Sequence, residues 1–220
     1  MTMNPTAEQQ AIIQDTEGYI RCISVPGSGK TFCITNRMAY LITNLFVDPS
    51  AIVALTFTNK AARSMTHRLK QLIGDEATCF TGTFHAYCNK ILKEEIYRLS
   101  WPKIFTIADQ KDQIKIIKEI ADELHLSLKD YPAEKYMEDI QTEKDKYPYI
   151  PYLIGPNKSS LLNMINAAKT DFQRVYYRYL LKQRDNFVLD FFDMIAFVLY
   201  IFENYSDVLD KWQDKCMYLL

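Results

Sequence analysis

Short apolar runs alternate with stretches of helical periodicity over the first hundred residues of this chain. Residues 19–25 (Tyr-Ile-Arg-Cys-Ile-Ser-Val) are rich in β-branched and aromatic side chains and run into Pro26-Gly27, which predicts a buried strand entering a turn. Across residues 30–45, Ile34, Met38, Leu41, Ile42 and Leu45 recur at helical spacing until Asp48-Pro49 breaks the pattern. Residues 52–57 form a second apolar run and predict a strand. Thr58 is placed to cap a helix through Ile73 and Gly74 to end it. A third strand over 79–83 then precedes a helix from Phe84. Strands alternating with helices predict an α/β fold on a parallel sheet with helices on both faces, because parallel neighbours require crossover connections.

The pattern changes after Trp101-Pro102. Residues 109–130 are charged and helical, no strand of comparable strength follows until the end, and a mainly helical insertion is expected. Tyr147-Pro148-Tyr149-Ile150-Pro151-Tyr152 is expected to be extended or looped around its prolines. A helix is expected over 159–182, and the segment 187–202, apolar on nearly all sides, is expected to be buried rather than to lie on a surface. Cys216-Met217-Tyr218-Leu219-Leu220 reads as a sheet-core strand with nothing after it, so the chain is expected to be part of a longer protein.

Composition narrows the classes. With 220 residues, 48% hydrophobic and 24% charged, the chain has room for one or two ordinary cores. No run approaches the ~20 apolar residues of a membrane span, and the N-terminus resembles no targeting peptide, so a cytoplasmic protein with no membrane partner is expected. Cys22, Cys33, Cys79, Cys88 and Cys216 are odd in number and lack a C-x-x-C pair, which argues against a disulfide framework or a zinc site. A net charge of −1 requires any nucleic-acid contact to come from a local basic cluster.

The strongest chemistry lies at Ser24-Val25-Pro26-Gly27-Ser28-Gly29-Lys30-Thr31. A strand, a glycine-rich turn and a helix offer backbone N–H groups and a helix N-terminus to phosphates. Lys30 suits the β and γ phosphates, and the Thr31 hydroxyl suits Mg²⁺. The strict phosphate-loop pattern is broken at its first position, where Ser24 stands in place of glycine. The loop by itself leaves kinases, transport ATPases, GTPases and helicases open.

Other segments resemble the opening motifs of the UvrD/Rep/PcrA group of superfamily 1 DNA helicases. They are Asn4-Pro5-Thr6-Ala7-Glu8-Gln9-Gln10-Ala11-Ile12, the loop with Arg37 after it, Ala54-Leu55-Thr56-Phe57-Thr58-Asn59-Lys60-Ala61-Ala62, and Thr81-Gly82-Thr83-Phe84-His85-Ala86. Leu189-Asp190-Phe191-Phe192-Asp193-Met194-Ile195 is similar to the family's return from its helical insertion. Ser64 departs from the family, which commonly has glutamate there.

The resemblance implies a P-loop NTPase (RecA-like) domain, with residues 1–91 as its first part, 92–186 as the helical inserted subdomain and 187–220 as the return. It implies ATP and Mg²⁺ as cofactors, single-stranded DNA and duplex junctions as partners, and 3′–5′ translocation with duplex unwinding. Gln9, with Gln10 as the alternative, is matched to adenine recognition, and Arg37 to the arginine near the nucleotide. Thr56, Phe57, Thr58, Asn59 and Lys60 are matched to one single-stranded DNA contact, and Thr83, Phe84 and His85 to the next. Lys60, Arg63, His67 and Lys70 share one helix side and would extend the positive surface. The family's acidic pair follows a strand similar to residues 217–220, and its second motor domain carries arginines, so this chain alone is expected to hydrolyse ATP weakly or not at all. A P-loop kinase or assembly ATPase accounts for the loop but not for 56–62 or 83–85. A non-catalytic DNA-binding or docking module does not account for the intact Lys30 and Thr31.

Overall fold

The computed structural model describes residues 4–15, 17–75, 78–146, 148–155 and 158–220. In chain order its first elements are α1 (Ala7–Gln14), α2 (Lys30–Thr43), β1 (Ile52–Thr56), α3 (Asn59–Ile73), β2 (Phe80–Thr83), α4 (Phe84–Glu95) and β3 (Thr106–Ala108). There follow α5 (Gln110–Glu123), α6 (Ala133–Lys146), α7 (Ile150–Leu153), α8 (Lys158–Ala167), α9 (Asp171–Asn186) and β4 (Val188–Asp190). The chain closes with α10 (Phe191–Asn204), α11 (Ser206–Asp214) and β5 (Tyr218–Leu219). Two compact units result: Met1–Ala86 with Asp210–Leu220, and Tyr87–Leu209. Among the described residues no helix is long and apolar enough to cross a membrane.

The first unit holds a parallel sheet ordered β2-β1-β5. Thr56 pairs with Thr83 on one side of β1, and Ile52 with Tyr218 on the other. Alternation along β1 sends Ile52 and Ala54 into a core with Met38 and Leu41 of α2 and Met65 and Leu69 of α3. The local signals act as predicted on α3: the Thr58 hydroxyl accepts from the Ala61 N–H at 3.1 Å, and Gly74, with φ of 87°, ends the helix.

Residues 19–25 do not form the expected buried strand. They belong to no ladder, and Tyr19, Ile23 and Val25 project into solvent. A strand needs a neighbour's free backbone edge, and the sheet's edges are β2 and a β5 only two residues long. The latter offers few partners, and it is itself shorter than the run 216–220 suggests.

The second unit is mainly helical, with differences from expectation. β3 and β4 form a parallel pair, Ile107 opposite Leu189; three residues are too few to show periodicity. The helix expected over 159–182 is two, because Thr170 starts a capping box in which its hydroxyl accepts from the Gln173 N–H at 3.2 Å. Of the segment 147–152, Tyr147 lies outside the described residues, and the remainder runs into the helical turn α7 rather than a wholly extended path. Pro151 sits in the first turn of α7, where a missing N–H costs nothing. The segment 187–202 is only partly buried: Phe197 and Ile201 are enclosed, whereas Phe191, Ile195 and Leu199, at i, i+4 and i+8, share an exposed stripe of α10. This compact unit also extends past residue 186, since β4 pairs with β3 and the Phe197 ring meets Trp101 edge-on at 5.2 Å.

Its centre is polar. The fully buried Lys144 of α6 donates to Asp190 at 2.7 Å, to Asp193 at 2.6 Å and to Gln183 at 3.0 Å. The two aspartates form the capping box of α10, and the Tyr149 hydroxyl donates to Asp193 at 2.6 Å. Burial pushes the Asp193 carboxyl up to about 6 against the attraction of Lys144. Burial opposes the charge of Asp190 as well, but there Lys144 outweighs it and holds the carboxyl below its usual range.

Folded Asp193 therefore binds its proton more tightly than the unfolded chain does, so its contribution to stability falls as pH rises from the usual carboxylate value of about 4 toward 6. Asp193→Asn is expected to remove that decline, and melting temperatures of the two proteins across this window check it; parallel profiles would refute it. Lys144→Ala strands buried carboxylates and should cost about 3–5 kcal/mol in denaturant titrations.

Candidate functional site

The loop before α2 takes its shape from two left-handed glycines, Gly27 at φ 81° and Gly29 at φ 89°. Gly29 is the N-cap of α2 and has no side chain to occupy the first N–H groups of the helix, which stay open to an anion. Lys30 folds back over the loop, its Nζ donating to the carbonyls of Ser24 at 3.0 Å and Val25 at 2.7 Å. Pro26 lies between that pair of carbonyls and Gly27, and Ser28 returns an N–H to the Val25 carbonyl at 3.3 Å. The Ser28 hydroxyl is buried with no hydrogen-bond partner among the described residues.

An open cavity of about 560 Å³ lies against this loop, lined by Gly27, Gly29, Lys30 and Thr31 and by Thr35 and Asn36 farther along α2. Its other wall is Arg68, Gln71 and Leu72 of α3. These three had no signal in the sequence: they sit beside the core-facing Met65 and Leu69, and only the packing of α3 on α2 brings them to the loop. Open N–H groups, an ammonium and a guanidinium around one cavity suit a polyanion of triphosphate size. Thr31, in the first turn, presents a hydroxyl there. Among the described residues no group of three or more His, Cys, Asp or Glu side chains is placed to hold a metal ion.

Gln9 stands at the same loop. Its Oε1 accepts from the Thr6 N–H at 3.0 Å as half of the capping box of α1, and its Nε2 donates to the Ser28 carbonyl at 3.1 Å. Among the described residues Gln10 makes no such contact with the loop. Arg37 is placed differently. It is buried on α2 and its guanidinium donates to the carbonyls of Ile12, at 2.7 Å, and Asp15, so it faces α1 and does not line the cavity.

The candidate nucleic-acid residues come together at the C-terminal ends of adjacent strands, where crevices form in parallel sheets. Pairing of Thr56 with Thr83 brings the segments 56–60 and 83–85 side by side. The Thr56 hydroxyl donates to the Thr58 carbonyl at 2.9 Å and accepts from the Thr58 N–H at 3.2 Å, which shapes the turn that turns Phe57 out. Phe57 is 97% exposed, far outside the core. Asn59 and Lys60 begin α3 on the surface, and Arg63, His67 and Lys70 continue an exposed basic side. The Thr83 hydroxyl accepts from the Ala86 N–H at 3.1 Å; Phe84 is half exposed and His85 half buried in the first turn of α4. A smaller cavity of about 320 Å³ opens between Asn59 and Arg63 on one side and Phe80 and Gly82 on the other. A Cβ at Gly82 would stand 2.9 Å from the outer atoms of the Phe80 ring, so a side chain there would require that ring to shift.

The cysteines take no part. Burial pushes the Cys79 and Cys88 thiols up to about 11, so both are protonated and unreactive at neutral pH.

A parallel α/β unit with an uncapped glycine loop at a helix N-terminus, an exposed aromatic and cations at strand ends, and a helical unit within the chain define a mixed α/β protein. Residues 5–220 match the family model described as the UvrD/REP helicase N-terminal domain, and the chain belongs to that family. It is 33% identical over 215 residues to the ATP-dependent DNA helicase PcrA of Staphylococcus aureus (strain Mu50), covering 96% of this chain and 28% of that protein. It is 31% identical over 214 residues to the probable DNA helicase II homolog of Mycoplasma capricolum, covering 97% of this chain and 29% of the relative. The chain thus spans less than a third of the length of these relatives.

Alanine at 29 would meet both a left-handed φ and the Gln9 Nε2 at 3.0 Å, whereas nothing lies within 4 Å of a Cβ at 27. Gly29→Ala is expected to weaken binding of a nucleoside triphosphate by about tenfold or more, through backbone strain of about 1–2 kcal/mol plus displacement of Gln9. Calorimetric titration checks this, and Gly27→Ala, strained but unobstructed, should lose less.

Proposed function

We propose that this chain is the ATP- and single-stranded-DNA-binding part of an ATP-dependent DNA helicase motor, its first unit a RecA-like P-loop domain. The observation that carries the reading is the joint placement of the open N-terminus of α2 with Lys30 and Thr31, and of Phe57 beside the Thr83 strand end, in one compact unit. A kinase reading accounts for the first and leaves an exposed aromatic and a basic helix side without a purpose.

In this reading the loop N–H groups from Gly27 to Thr31 hold the phosphates. Lys30 exchanges the Ser24 and Val25 carbonyls for phosphate oxygens, at little desolvation cost because it is already exposed beside the loop. The Thr31 hydroxyl would hold Mg²⁺, which when bound would supply positive charge beside the phosphates. Gln9 releases the Ser28 carbonyl and presents an amide, which both donates and accepts, to the adenine edge. Phe57 stacks on a base, while Thr56, Thr58, Asn59 and Lys60, with Thr83, Phe84 and His85, contact backbone and sugar.

The helix α3 has the DNA segment at its N-terminus and Arg68, Gln71 and Leu72 on the cavity wall near its C-terminus, so nucleotide binding and DNA grip act on one rigid element. For the whole protein the reading is 3′–5′ translocation on single strands with unwinding at duplex junctions, in the cytoplasm and in the service of DNA repair.

Lys30→Ala is expected to lower affinity for Mg-ATP by about tenfold or more with oligo(dT) binding retained. Phe57→Ala should weaken oligo(dT) by about 1–3 kcal/mol with ATP binding retained. Fluorescence titrations with each ligand decide the matter: ATP binding indifferent to Lys30, or oligo(dT) binding indifferent to Phe57, would count against the reading.

A further inference from the structure

The helix α1 has eight residues, too few to persist in water unaided, and Ile13 is its one fully enclosed side chain. Among the described residues two polar ties fix it to its surroundings. At one end the Gln9 Nε2 meets the Ser28 carbonyl at 3.1 Å; at the other Arg37 donates to the carbonyls of Ile12, at 2.7 Å, and Asp15. Those carbonyls belong to the last turn and cap of α1, where backbone acceptors lack helical partners and a cation is favoured by the helix dipole. Arg37 is 8% exposed, and an arginine is rarely enclosed unless its donors are engaged. Asn36, its neighbour on α2, lines the anion cavity, and successive helical positions point about 100° apart, which turns Arg37 away from the cavity and onto α1.

We propose that Arg37 is a positioning residue: it latches the C-terminus of α1 to α2, and so holds Gln9 at the distance from the phosphate loop at which a nucleoside triphosphate presents its purine. Because α2 carries the loop at its N-terminus and the latch two turns later, one rigid helix sets the spacing between phosphate recognition and base recognition. The latch rests on the ATP reading above, and it assigns Arg37 an effect on the base that passes through Gln9 and not through contact with the nucleotide.

The test compares ATP with inorganic triphosphate, which has no base, in calorimetric titrations of the whole chain. Arg37→Met, which keeps the aliphatic stem and removes the donors, is expected to lower ATP affinity about tenfold, as Gln9→Ala does. The double variant should lose no more than either single one, and triphosphate affinity should be unchanged in all three. Hydrogen exchange of the α1 amides should accelerate in Arg37→Met and not in a variant at the cavity such as Asn36→Ala. Arg37→Lys, with one ammonium for the Ile12 carbonyl, should recover part of the ATP affinity. Additive losses in the double variant would show that Arg37 touches the nucleotide itself and would overturn the proposal. Equal loss of triphosphate would overturn it as well, since the defect would then lie in the loop. Lys30→Ala separates the two levels: if it weakens both ligands while Arg37→Met weakens neither, the phosphate-loop reading stands and the latch falls.

Discussion

The parallel pairing of β1 with its neighbours is the constraint on which the first unit depends. Ile52 and Ala54 bury one face of the strand under α2 and α3, while its backbone is bonded on both edges, to β2 and to β5. A strand so enclosed cannot slip by one residue without taking Ile52 and Ala54 out of their packing against α2 and α3. Its register therefore fixes where Thr56 ends, which partner Thr83 faces, and where α3 begins. The exposed Phe57 follows from the same constraint: the Thr56 and Thr58 hydroxyl pattern turns the chain sharply at the strand end, and the aromatic ring is left outside.

The loop before α2 works by the opposite means, through groups left unsatisfied. Left-handed glycines give the first turn of α2 no capping side chain, and among the described residues the Lys30 ammonium is satisfied by two loop carbonyls. Such contacts are readily exchanged for phosphate oxygens, because an ammonium near carbonyls gains more from a charged acceptor than from a neutral one. The amide of Gln9 is engaged in the same provisional way, through one contact to Ser28 and one to its own helix cap. Binding at this loop would then replace one set of hydrogen bonds by a stronger set and need not create a site from nothing.

In the second unit the buried Lys144 with Asp190, Asp193, Gln183 and Tyr149 joins α6, α9, α10 and the residue preceding α7 around one polar centre. Apolar packing alone would tolerate small rotations among these helices; directional bonds to a single ammonium do not. The aspartates serve twice, capping α10 through their backbone contacts and neutralising Lys144 through their remaining oxygens. That double use explains how charged groups are kept in a core where isolated ones would be expelled.

Much of this was legible in the residues themselves. The ends of α2 and α3, the Thr58 cap, the Gly74 stop and the strand at 52–56 depend on local rules, namely helical periodicity and side-chain capping. The motifs at 26–31, 54–62 and 81–86 likewise marked the family, because each sets particular residue types at adjacent positions. What tertiary structure alone decided is whatever depends on a partner distant in sequence. Residues 19–25 have the composition of a strand but join no ladder; Arg37 could serve a ligand or a helix end, and only the position of α1 shows which acceptors it meets. Arg68 and Gln71 read as ordinary solvated helix residues until α3 packs on α2 and carries them to the loop. A sequence states each group's capacity to pair; the fold determines which partner comes within 3 Å of it.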